Sequence, residues 1–355
     1  MRRPSRQGLL PVCTHPTTLS LTANLKFRKT NLLYPTLTLF QRFRADIGKP
    51  QNKLMLILML TATVFCTKAQ DIRSKMHIYF QEVRNGNYPP VPEALLSAQY
   101  QDSSGIILEP FLKDSVPDVR TRAVELIYTI SSRSDKPITR QRGVLSLLGR
   151  CTDSDIGIRA RTLDLLKEFS RQDFPAQAAD SVKKFIRSKT MPIDRLIKLA
   201  GFLQLRKLSE DVRPWSQPGN PTRIRWAAIL ALSRMEDPWA TAEMMKRARR
   251  LPINDEVVYQ VLPDLLYTRQ PEAFNFAIAA LNSNEKSCSS ADAENEVPIL
   301  CGYRIMELLA PLIADYPLEL EPSGDIRTSD YAATLQNVRQ WFLNNKSYII
   351  LKDKY

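Results

Sequence analysis

Apolar residues recur along this chain at i, i+4, i+7, i+8 and i+11, the set that lines one face of a helix. Counted from Val119, these positions hold Val119, Ala123, Leu126, Ile127 and Ile130. From Ile158 they hold Ile158, Thr162, Leu165, Leu166 and Phe169, and from Ile224 they hold Ile224, Ala228, Ala231, Leu232 and Met235. A further copy runs Ile305, Leu309, Leu312, Ile313 and Tyr316, with weaker ones starting at Ile193 and Val258. Successive starts lie 39, 35, 31, 34 and 47 residues apart, about the length of two antiparallel helices and their turns. A helix pair repeated at such a period buries its apolar face only against its neighbours. The expected fold is therefore all-α, a right-handed α-solenoid of antiparallel helix pairs.

Partner helices are predicted between the stripes, at Ile106–Lys113, Thr139–Leu148, Ala176–Arg187, Thr241–Arg250 and Pro271–Leu281. Most prolines of this region fall at turns or in first helical turns, where the missing N–H would be unpaired anyway. Residues 71–101 add N-terminal helices. Tyr331–Asn344 is expected to form a last amphipathic helix, with Tyr331, Leu335, Val338, Trp341 and Phe342 on one side. Such terminal helices cover the ends of a stack.

The stretches Asp114-Ser-Val-Pro-Asp-Val-Arg120-Thr-Arg-Ala123 and Asp153-Ser-Asp-Ile-Gly-Ile-Arg159 resemble HEAT repeats. There, an acidic turn precedes a second helix that opens Val-Arg and soon reaches a small residue. Asn220-Pro-Thr-Arg-Ile-Arg225-Trp-Ala227 is similar, with Asn in place of the acid; the copies at Ile193 and Val258 lack the Arg, and that at Ile305 has Arg304 one place early. The resemblance covers roughly residues 100–316 and implies a HEAT-like superhelix, with Arg120, Arg159 and Arg225 paired to acidic turn residues such as Asp118 and Asp155. The other reading of these arginines is a basic ladder on the concave face.

Charge changes the picture only at the N-terminus. The chain carries a formal +13, but residues 1–69 hold eleven Lys/Arg against the single acid Asp46, and the remainder holds 39 against 36. Within that segment Lys49 and Lys53 precede the apolar run Leu54–Phe65, followed by Cys66-Thr-Lys-Ala-Gln70. A basic flank, a short apolar core and small residues at Thr67 and Ala69 describe a secretory signal peptide cleaved between Ala69 and Gln70. Lipidation at Cys66 is the minor variant, disfavoured by the bulky Phe65 before it. The run is too short to span a bilayer, which takes about 20 residues. The expected organisation is thus 1–53, a disordered or overextended N-terminal stretch; 54–69, the signal peptide; and 70–355, the repeat domain with its capping helices. Localisation is expected to be periplasmic or envelope-associated.

Export bears on the cysteines. The mature chain keeps Cys151, Cys288 and Cys301, and the last two bracket a polar acidic loop that accounts for the 47-residue interval. In an oxidising compartment a disulfide there would stabilise by about 3 kcal/mol. The alternative is two thiols. Cys151 is left over, an expected buried thiol.

Other candidate chemistry is sparse. Lys246-Arg-Ala-Arg-Arg250 is the densest basic run of the mature chain and a candidate anion contact through Lys246, Arg247, Arg249 and Arg250; its simpler role is to complement a helix C-terminus. Trp215, Trp226 and Trp239 lie close in sequence and suit either stacking on a ligand or packing between helices. His15 and His77 are the only histidines, which excludes a multi-histidine metal site. Phosphate-binding glycine loops, nucleophile elbows and Cys-x-x-Cys pairs are absent from the sequence. No cofactor and no small-molecule substrate is expected. The leading functional expectation is a non-enzymatic scaffold binding a protein or peptide partner along the repeat surface. The alternative is a HEAT-like DNA glycosylase of the alkylation-repair type, and a third option is a cytosolic lyase-type HEAT protein. The nearly balanced mature charge and the leader weigh against nucleic acid.

Overall fold

The computed structural model describes residues 72–97, 101–290, 297–321 and 326–355. The N-terminal extension 1–53, the signal peptide 54–69 and its cleavage site at Ala69 and Gln70 lie outside the described residues.

The described chain is predominantly helical, with almost no strand. A helix over 72–84 (α1) and one turn at Glu93–Leu96 (α2) lead into α3 (Gln101–Leu108), α4 (Pro117–Ser132), α5 (Pro137–Leu148), α6 (Ile156–Leu166), α7 (Ala176–Arg187) and α8 (Ile193–Phe202). After the single turn α9 (Ser209–Val212) come α10 (Thr222–Arg234), α11 (Pro238–Ala248), α12 (Leu262–Tyr267) and α13 (Pro271–Leu281). The chain then forms α14 (Gly302–Leu309) and α15 (Tyr331–Asn344). Proline occupies the first helical position of α4, α5, α11 and α13. Helix ends leave carbonyls unpaired, and several are closed by a left-handed residue that is not glycine: Lys189, Gln204, Glu236 and Arg269.

The stripes bury as their period requires. Val119, Ile127, Leu165, Phe169, Leu232 and Leu309 are all at or below 5% exposure and belong to one continuous core. Helices α4, α6, α8, α10 and α12 pack side by side in sequence order, while α3, α5 and α7 form a second layer against them. Gly201 lets two backbones close: a Cβ there would stand 2.7 Å from the Cα of Ala231 in α10. Cys151 is buried as a free thiol, and burial pushes it up to about 12.

Side chains tie successive helix pairs together, and four of these bonds span 33 residues. Arg120 donates to Asp153 at 3.0 Å, Arg140 to Asp173 at 2.7 Å, Arg171 to the Gln204 amide oxygen at 2.8 Å, and Arg234 to the Tyr267 carbonyl. Arg120 and Arg140 also donate six residues back, to the carbonyls of Asp114 and Ser134, so each fixes two turns at once. The pairing differs from the expected one. Asp155 instead caps α6, accepting from the Gly157 and Ile158 amides, and Asp118 accepts from the Tyr88 hydroxyl. Those two carboxylates are taken up by closer donors, and Asp153 is the acid that faces Arg120.

Among the described residues, paired strand is confined to one short hairpin, in keeping with an all-α fold. Lys286–Cys288 (β1) and Ile299–Leu300 (β2) pair antiparallel at the base of the acidic insertion, and Cys288 is bonded to Cys301. Part of the loop between them, 291–296, lies outside the described residues. Isolated bridges also join Ile313 to Ile350 and Leu320 to Ile326. These short extended pieces occur where the chain leaves the helical period and must find main-chain partners elsewhere.

Candidate functional site

The residues singled out in the sequence do not converge. Arg247 pairs with Glu243 one turn back on α11, at 2.8 Å. Lys246 and Arg249 face a cleft of about 730 Å³ in which Glu236 and Glu272 offset their charge. Lys246 and Arg247 lie in the last turn of α11, with Arg249 as its C-cap and Arg250 just beyond, placing the run where cations complement the helix dipole. The tryptophans part company. Trp226 donates to Asp264 at 2.7 Å, Trp215 is half-buried against the core, and Trp239 is 44% exposed beneath Arg213. Among the described residues Arg159 and Arg225 form no ladder: the Nε of each is buried without a hydrogen-bond partner, and the side chain of Arg225 donates to Thr222. Among the described residues no group of three or more His, Cys, Asp or Glu side chains could hold a metal.

The structure instead assembles a site around residues 345–355. After α15 the chain turns back, pairs its main chain with Leu312 and Ala314, and enters a groove across the ends of α8, α10 and α12. There every carbonyl from Leu351 to Tyr355 is engaged. Arg269 donates through Nε to Leu351 at 2.8 Å and through Nη2 to Tyr355 at 2.9 Å and Lys354 at 3.2 Å. Arg234 reaches Lys354 at 2.6 Å and Lys352 at 3.4 Å. The main-chain N–H of Arg171 donates to Asp353 at 2.8 Å.

Local structure explains why two arginines can do this. Arg234 is the last residue of α10 and is 1% exposed, its guanidinium lying 5.1 Å from the Phe202 ring and 4.6 Å from that of Tyr267. Arg269 follows α12 in a left-handed conformation, φ 58°, which a side chain adopts at some cost, and is 4% exposed. Each fixes one nitrogen on its own framework, Arg234 on the Tyr267 carbonyl and Arg269 on that of Leu266, leaving the rest of the fork free to reach outward. Among the described residues neither guanidinium has an Asp or Glu side chain as hydrogen-bond acceptor. Burial, then the neighbouring Arg234 charge, pushes Arg269 down to about 9, which still leaves it cationic at neutral pH. Burial likewise lowers Arg234. Two desolvated cations facing each other's field need acceptors, and main-chain carbonyls supply them.

The Tyr355 ring closes the groove. It packs 5.4 Å from Phe202 and 5.1 Å from Tyr267, with the Lys167 ammonium 5.5 Å from its centre. Its hydroxyl is buried without a hydrogen-bond partner. Beneath, Lys198 and Trp226 both donate to Asp264 at 2.7 Å, and the Tyr267 hydroxyl donates to the Lys198 carbonyl. These bonds lock α8, α10 and α12 into one floor. What the arrangement does chemically is hold an extended main chain.

Sequence reasoning passed over Arg234, Arg269 and Tyr355. A signal was present: a Ser/Thr-Arg pair recurs at Ser132-Arg133, Ser170-Arg171, Ser233-Arg234 and Thr268-Arg269. The last three of these meet the 351–355 segment. Comparison of the chain with protein-family models, curated proteins and solved structures found no match, so the reading of this groove rests on its own geometry.

Proposed function

We propose that the chain is an exported, non-enzymatic, HEAT-like α-solenoid scaffold that binds an extended segment of a partner protein. Supporting the architecture are the two helix layers and the cross-repeat bonds at an interval of 33 residues, both natural to a stack of like units. Supporting export are the leader pattern and the Cys288–Cys301 bond, which suits an oxidising compartment. The observation that carries the binding reading is the grip of buried Arg234 and Arg269 on consecutive carbonyls of 351–355. Main-chain recognition of an extended segment supplies affinity without demanding one sequence, as in other peptide-binding surfaces.

The test places a photo-crosslinking amino acid at exposed Lys352 or Glu236, at the groove edge, in the chain expressed with its leader. Illumination followed by fractionation should give a discrete adduct in the envelope, on a chain beginning at Gln70. A stable chain beginning at Met1 in the cytosol removes export; no adduct from either position removes the scaffold reading.

A further inference from the structure

We infer that the groove of Arg234, Arg269, Phe202 and Tyr267 is a recognition site for an extended peptide ending its contact in a phenylalanine-like ring, and that 351–355 is a built-in competitor for it. The inference rests on the peptide-binding reading above for its class of ligand. It adds the identity of the anchor and the means by which the groove is opened.

The anchor follows from the Tyr355 pocket. Its walls are the Phe202 and Tyr267 rings and the Lys167 ammonium, all suited to the face of an aromatic ring. No group in the pocket meets the phenolic hydroxyl, which is buried and unpaired. A ring without that hydroxyl keeps every contact and loses the desolvation cost. The resident segment is therefore handicapped in its own site.

The main-chain contacts explain why the ligand shares the path of the segment. Arg234 and Arg269 would lose their acceptors on Leu351, Lys352, Lys354 and Tyr355 if the groove emptied. Buried cations stripped of acceptors are costly, so the favourable exchange is one extended main chain for another. The side chains of Lys352, Asp353 and Lys354 are exposed, and of these the Asp353 carboxylate favours the charged Arg269 through its field.

The experiment uses the full chain and N-acetylated, C-amidated fluorescent peptides spanning 349–355, ending in either tyrosine or phenylalanine. In fluorescence anisotropy the phenylalanine peptide should bind about five-fold or more tightly than the tyrosine peptide, the minimum expected from an unpaired buried hydroxyl. Tyr355→Ala, which removes the competitor's anchor, should tighten binding of either peptide by about ten-fold or more. Tyr355→Phe is certain to fit the pocket and should act oppositely, weakening peptide binding by about five-fold and raising Tm. Equal affinities for the two peptides, or a Tyr355→Phe chain that binds as the unaltered one does, overturns the inference. Should envelope crosslinks form while the two peptides bind alike, the scaffold reading stands and this one falls. The expected order of affinities without any envelope adduct leaves the groove's specificity standing and removes the exported-partner reading.

Discussion

Removing the guanidinium of Arg120 should be among the most damaging single changes available in the N-terminal helices. Its side chain is 9% exposed and that of Asp153 3%. Nε and Nη2 meet Asp153 as a fork, and Nη1 holds the carbonyls of Asp114 at 2.8 Å and Ser115 at 3.2 Å. In Arg120→Ala the Asp153 carboxylate keeps only the Asp155 amide at 3.0 Å. A buried ion pair broken on one side costs about 3–5 kcal/mol, most of it the desolvated charge left behind. Arg120→Lys restores a charge but not the fork, and should recover only part of the loss. The double change Arg120→Met with Asp153→Leu removes both charges and should fall within about 2 kcal/mol of the unaltered chain. Urea unfolding followed by circular dichroism gives the totals, and hydrogen exchange localises the opening to the turns at 114–116 and 153–155. A loss below about 1 kcal/mol for Arg120→Ala, or a double variant as unstable as the single, would refute the assignment of the brace.

Acid should act through the same residue. Burial alone would raise the Asp153 carboxyl, but the bonds and charge of Arg120 outweigh it and hold the group below its ordinary value. A depressed folded value gives stability that is present above the unfolded pKa of about 3.9 and lost as pH falls through the folded one. The urea midpoint should accordingly change little from Asp153 above about pH 5 and drop below about pH 4, with a smaller drop in Arg120→Ala. Replacing Cys288 and Cys301 by serine should cost about 3 kcal/mol, because the bond closes a short loop of sequence separation 13. Exchange should rise in α13–α15 and not in α4–α6; equal change in both would count against a local role. Gly201→Ala should cost about 1–3 kcal/mol through overpacking, since a Cβ meets the Ala231 backbone as well as the Tyr267 hydroxyl, and the backbone cannot swing aside. Thermal unfolding checks it, and an unchanged Tm would contradict the close seam.

Much of the helical framework could be read from the apolar period alone. Ala176–Arg187, Pro271–Leu281 and Tyr331–Asn344 begin and end where capping and periodicity place them. The boundaries moved where proline competes with the stripe: α11 starts at Pro238 rather than Thr241, since proline fits the first turn. The Ile106–Lys113 helix instead ends at Leu108, with a tighter turn from Phe111. The stripe at Val258 opens with a wide turn over Val257–Val261 before Pro263, a local adjustment no period records. Charge partners were harder to read. Asp118, Asp153 and Asp155 are equivalent on paper, and only the turn geometry selects Asp153 for Arg120. The groove was least legible because its parts are far apart in the chain. Arg234 and Lys354 are separated by 120 residues, and nothing in either neighbourhood names the other.

That same separation governs how the molecule comes apart. Elsewhere the helices pack mainly on sequence neighbours, so stability is close to a sum of adjacent interfaces and ends can fray without consulting the middle. The 351–355 segment breaks this rule by touching Arg171, Arg234 and Arg269 together. Opening any one of those three places releases contacts at the other two. The chain should thus behave as two mechanical materials in series: a compliant N-terminal array that yields helix by helix, and a C-terminal block that yields all at once. Under rising denaturant such a molecule would open first at α1–α5 and keep the groove intact until last.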